Sequence, residues 1–207
     1  MRERLLLALA AAALACDEPT IPARTAVYPF DLAGDVFHWP ASHLPVRYFA
    51  DPRGAMHTLV QDGLATWEAP FLYGEFTGTL VADSAAAHVI VLWRDSVPPD
   101  VPPDPGPPVS ACSGLTTYQL DSTSTITGPL RVTLAISPGF TAPQVAACVR
   151  RVAVHELGHS IGLLAHSPNT MDVMASTPLV GQLSERDHET AEVLYHTRPT
   201  IGAPPRP

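Results

Sequence analysis

The chain has 207 residues and a mass of 22.0 kDa, enough for one domain with a buried core but too little for a multidomain array. Hydrophobic residues make up 46% and charged residues 15%, which excludes disorder driven by charge, and 20 acidic against 12 basic residues give a formal charge of −8. That balance argues against a protein that tracks nucleic-acid phosphates, and 23 prolines exclude very long helices and require long irregular connections.

Arg2 and Arg4 precede an apolar run over residues 5–15 that is short of a bilayer span, so residues 1–15 read as a signal peptide. Ala13-Leu14-Ala15 has the small-x-small form of a cleavage site, and Cys16 directly after it is the candidate lipidation site of a bacterial lipoprotein behind a partial lipobox. The protein is therefore read as exported, either secreted or anchored to a membrane through Cys16. Setting Cys16 aside leaves Cys112 and Cys148, one even pair suited to an oxidising compartment.

Residues 16–40 carry Pro19, Pro22, Pro29 and Pro40 without a helical stripe and read as a tether. Residues 44–50 read as a strand, and Met56, Leu59, Val60, Leu64 and Trp67 mark one face of a helix stopped by Pro70. Residues 74–81 and 88–93 are further strands, 97–108 a Pro-rich surface loop, and 114–120 and 130–137 complete a sheet of about five strands. The expected class is α+β, with a domain over 41–197 and a Pro-rich tail over 198–207.

The next helix is well marked. Thr141-Ala142-Pro143-Gln144 forms a capping box with proline in the first turn, and Phe140 and Val145 occupy the positions of a hydrophobic staple. Val145, Val149, Val152, Val154, Leu157 and Ile161 seat the helix on the sheet, and Gly162 ends it. His155, Glu156 and His159 then share one helix. Four residues apart, the two imidazoles lie one turn on and about 40° round, so both reach a single ion, with Glu156 beside them.

Beyond Gly162 come His166, the run Ser167-Pro168-Asn169-Thr170-Met171-Asp172-Val173-Met174, and Leu183-Ser184-Glu185-Arg186-Asp187 leading into a final helix that ends Val193-Leu194-Tyr195. With His155-Glu156-Leu157-Gly158-His159, this resembles the metzincin zinc peptidases and, within them, the matrixin branch. The resemblance spans roughly residues 44–195 and is motif-grade from His155 onward. It implies a metzincin-like catalytic domain with an active-site helix, a Met-turn and a C-terminal helix. His155, His159 and His166 would hold one catalytic Zn2+, Glu156 would be the general base, and Met174 the methionine of the turn beneath the metal.

One departure from the family pattern stands out. The usual third histidine position is held here by Ala165, and His166 follows one residue later, while the spacing from His166 to Met174 is kept. A one-residue insertion in the turn accounts for both. No tyrosine follows Met174 closely, so the tyrosine ligand of the astacin branch is not expected.

The resemblance also implies hydrolysis of peptide bonds without a covalent intermediate, with substrate extended along an edge strand at 114–120 and residues 175–182 walling the pocket after the cut bond. Cys112 and Cys148 would tie the substrate side to the active helix, two free thiols being the alternative. His38, His43, His57, His88, His188 and His196 lack ligand spacing, and no histidine between His88 and His155 offers a structural zinc site. A solvated acidic loop is expected beside the prolines, with Ca2+ binding the alternative. Trp39, Trp67 and Trp93 read as core or wall residues. Protein or peptide substrates and a monomer are expected, with membrane contact only through the lipid. Two other readings stay open: a gluzincin-like peptidase using Glu185 or Glu189 as third ligand, and a non-catalytic peptide-binding protein on the same fold.

Overall fold

The computed structural model describes residues 24–94, 111–205 and 207. The leader, Cys16, and the Pro-rich loop with Asp95, Asp100 and Asp104 lie outside the described residues. Five strands form one mixed sheet: β1 (Val46–Ala50), β2 (Gly78–Leu80), β3 (Val89–Arg94), β4 (Cys112–Thr117) and β5 (Leu130–Ile136), in the order β2-β1-β3-β5-β4. The first four in that order run parallel, and β4 lies antiparallel to β5 at the edge, with Gly114 opposite Leu134 and Thr116 opposite Val132. Val89, Ile90 and Val91 are all buried, as befits a central parallel strand covered on both faces.

Two expected strands are shorter than the pattern suggested. Gly74 turns the chain with φ +72°, so β2 begins only at Gly78, and beyond β4 Leu120 makes an isolated bridge to Ile126.

Helix α1 (Met56–Glu68) buries Met56, Val60, Leu64 and Trp67 of the expected face together with Gly63, while Leu59 is half-buried. It packs against α2 (Ala142–Ile161), whose other side meets β4 and β5. The start of α2 is the capping box read from sequence, with Gln144 Oε1 accepting the Thr141 backbone N–H at 2.9 Å. Indole groups fix its middle and end: Trp67 Nε1 donates to the Val154 carbonyl at 2.7 Å and Trp39 Nε1 to the Ser160 carbonyl at 2.9 Å. Helix α3 (Glu185–Tyr195) is capped by Ser184, whose Oγ accepts the Asp187 N–H while the Asp187 carboxylate accepts that of Ser184. Among the described residues no helix is long and apolar enough to cross a membrane.

The main difference from the sequence reading is at the two ends. From residue 24 onward the expected tether is part of the domain, because its aromatic residues find a core to enter: Tyr28, Phe30, Phe37 and Trp39 are buried. Proline spacing had masked them. The tail is attached as well, since Ile201 is buried, the Thr200 and Ile201 N–H groups donate to the Val36 carbonyl, and the Pro204 carbonyl meets His43 Nε2 at 2.8 Å. Trp39 and Trp67 are core residues as expected.

Candidate metal centre

His155 and His159 stand one turn apart near the end of α2, and their tautomers follow from their neighbours. His155 Nδ1 lies 2.7 Å from the Val173 carbonyl and His159 Nδ1 2.5 Å from the Leu163 carbonyl. A carbonyl only accepts, so each Nδ1 carries the proton and each Nε2 is left with a bare lone pair. Those two bare nitrogens face one another at 3.0 Å, and His166 Nε2 lies 3.2 Å from that of His159.

Converging lone pairs repel unless a cation sits among them. Nitrogens bonded to a tetrahedral zinc at about 2.0–2.1 Å stand roughly 3.3–3.4 Å apart, close to the spacing found here. The donor set therefore fits zinc. Among the described residues, these three histidines are the group of His, Cys, Asp or Glu able to hold a metal. Burial pushes the His155 imidazole down to about 4, and burial followed by the neighbouring histidines lowers that of His159, so both are neutral and ready to bind a metal at pH 7. His166 is exposed on the open side of the group.

The turn that delivers His166 depends on Gly162. At φ +119° this residue is in the left-handed region, and a Cβ there would collide with the Phe37 carbonyl. The buried N-terminal segment supports the same turn, with the Phe30 carbonyl accepting from Leu164 N at 2.7 Å and from Ala165 N at 3.3 Å.

Met174 is fully buried, and its Sδ fills the space that a Cβ on Gly158, between His155 and His159, would need. A buried carboxylate holds this methionine turn. Asp187 accepts from Val173 N at 2.9 Å, from Met174 N at 3.4 Å and from the Tyr28 hydroxyl at 2.6 Å. Burial and the Asp187 carboxylate push the Tyr28 phenol far up, so it remains a donor. Next to it, burial acts to raise the Asp172 carboxyl, but hydrogen bonds from Ser167, Arg186 and Ser184 outweigh that and hold it below its ordinary range.

Glu156 is buried against β4, where Thr116 Oγ1 donates to its Oε2 at 2.6 Å. Cys112 and Cys148 are disulfide-bonded, joining the start of β4 to α2. A depression lined by Met171, Val180, Gly181, Gln182, Leu183 and Ser184 overlaps the stretch 175–182 expected to wall a substrate pocket only at Val180, Gly181 and Gln182, and Gly181 rests against Arg151, one turn before His155.

Glu185 and Glu189, the alternative third ligands, are exposed on α3 and lie outside the histidine group. Sequence reasoning missed Thr116, Tyr28 and Asp187. The Ser184-x-x-Asp187 spacing was a legible cap, but nothing local announced its second duty under the methionine turn.

No family model matches the chain, and no curated protein does. Among solved structures it is similar to high choriolytic enzyme 1, a hatching-enzyme zinc protease from Oryzias latipes (medaka fish), at 11% identity. The match covers 84% of this chain and 100% of that one, with a TM-score of 0.41.

Proposed function

We propose that this protein is an exported zinc endopeptidase of metzincin type, matrixin-like in the spacing from His166 to Met174. The observation that carries the reading is the convergence of ring nitrogens from His155, His159 and His166, at 3.0 and 3.2 Å, on the helix that also carries Glu156. The three imidazoles would hold one Zn2+. When bound, the ion supplies Lewis acidity, polarising a peptide carbonyl and lowering the pKa of a coordinated water towards about 7.

The chain's own groups do the rest. Glu156 takes the proton from the attacking water and returns it to the departing amine. The Val173 and Leu163 carbonyls keep the two helix imidazoles in the tautomer that points Nε2 at the ion. An extended peptide would lie along β4, the sheet edge next to Glu156, which suits protein or peptide substrates. What supports export is the leader at residues 1–15 together with a disulfide between the two remaining cysteines; acylation of Cys16 would add an anchor.

The test combines metal analysis of the purified protein with cleavage of a peptide library, with and without chelator. One zinc per chain and chelator-sensitive cleavage are expected. Glu156→Gln keeps the metal and loses about 10²–10⁴-fold in turnover. His166→Ala releases zinc at chelator concentrations the parent tolerates, and Glu185→Ala does not. Near-normal turnover in Glu156→Gln overturns the mechanism, and zinc loss in Glu185→Ala rather than His166→Ala overturns the ligand set.

A further inference from the structure

Strand β4 and helix α2 run side by side in step. Two strand residues rise about 6.8 Å and four helix residues about 6.0 Å, so alternate residues of one meet every fourth residue of the other. Cys112 bonds to Cys148, Gly114 lies against Val152, and Thr116 meets Glu156. The last rung is polar. The Thr116 hydroxyl lies 2.6 Å from Glu156 Oε2 and 3.1 Å from the Glu156 carbonyl. At the rung before it, a Cβ on Gly114 would strike Glu156 Oε1 and Cγ, so the strand backbone closes on the other side of the carboxylate.

We infer that Thr116 is a positioning residue for the base. By engaging Oε2 it selects one rotamer of Glu156, and Gly114 is glycine because that rotamer needs the room. The hydroxyl touches neither metal nor substrate and acts only through the carboxylate. Because Thr116 belongs to the sheet edge, the residue that aims the base also sits on the strand along which a peptide would be laid. This inference rests on the peptidase reading.

The test uses the zinc-loaded protein and the variants Thr116→Val, Thr116→Ser, Glu156→Ala and Thr116→Val with Glu156→Ala, each first shown to hold one zinc. Thr116→Val lowers kcat about 10- to 100-fold, the scale of a misplaced catalytic group, and leaves KM within about twofold. Thr116→Ser, which restores the donor, keeps kcat within about threefold of the parent. In melting temperature the Thr116→Val and Glu156→Ala shifts are non-additive, the double variant losing less than the two singles together. Equal losses of kcat in the Val and Ser variants, a change confined to KM, or additive melting shifts would each overturn the role of Thr116. A zinc-loaded parent that cleaves no peptide overturns the peptidase reading instead, and the melting cycle then decides by itself whether Thr116 holds Glu156.

Discussion

Gly158 sits between the two helix histidines with Met174 Sδ and the Trp67 ring filling the space where a side chain would begin. Gly158→Ala therefore overpacks this contact and destabilises the protein by about 1–3 kcal/mol. The same displacement shifts the turn of α2 that carries His155 and His159, so zinc affinity is expected to fall with melting temperature; a variant as stable and as tight for zinc as the parent contradicts the packing described. Far from the site, Asp51 is buried and accepts from the Arg53 guanidinium, the Arg53 N–H and the Trp93 N–H. The side-chain bonds from Arg53 come first among the causes that hold its carboxyl well below the usual range. A carboxyl depressed on folding stabilises the native state above its unfolded value of about 3.9 and loses that contribution as pH falls through and below it. Asp51→Asn accordingly costs about 1.5–3 kcal/mol at neutral pH. In urea unfolding the gap to the parent narrows below about pH 4, and a gap that stays constant into strong acid rules out the charge as its origin.

At the scale of elements, β4 and α2 are joined covalently as well as by packing. The Cys112–Cys148 bond closes a segment with a sequence separation of 36, for which loop entropy gives about 3–4 kcal/mol. Replacing both cysteines by alanine lowers unfolding free energy by that order in denaturant titration, and a loss under about 1 kcal/mol would mean that packing alone holds the pair. Helix α2 was legible in the sequence because all its instructions are local: the cap at Thr141, the apolar spacing, and Gly162 at the end. His166 was legible as a candidate despite its offset, since the spacing to Met174 survived the extra residue. Contacts between elements left no such trace. Thr116 is one polar residue in a run of them, and only the pairing of β4 with β5 turns it towards Glu156. Tyr28 and Asp187 are 159 residues apart, and no periodicity links a lone aromatic among prolines to a carboxylate on a later helix.

Across the whole molecule, the N-terminal segment acts as a strap over the base of the histidine group. Phe30 meets the turn before His166, Phe37 closes on Gly162, Trp39 holds the end of α2, and Tyr28 reaches Asp187. A chain starting at residue 24 should fold as the parent does, whereas one starting at 41 loses four buried aromatic residues and should yield insoluble or molten protein with weak zinc binding. Circular dichroism and metal content distinguish the two, and a well-folded, zinc-loaded protein from 41 onward would show the strap to be dispensable. The strap also sets an order of events during synthesis. Its partners lie far along the chain: Arg24 pairs with Glu192, Tyr28 with Asp187, and Val36 with Thr200 and Ile201. Helix α2 and its two histidines can form earlier, but residues 24–36 must wait for α3 and residues 200–201 before they can dock. Until then the turn carrying His166 lacks its cover, so the nascent chain carries an incomplete centre until residues 187–201 have emerged.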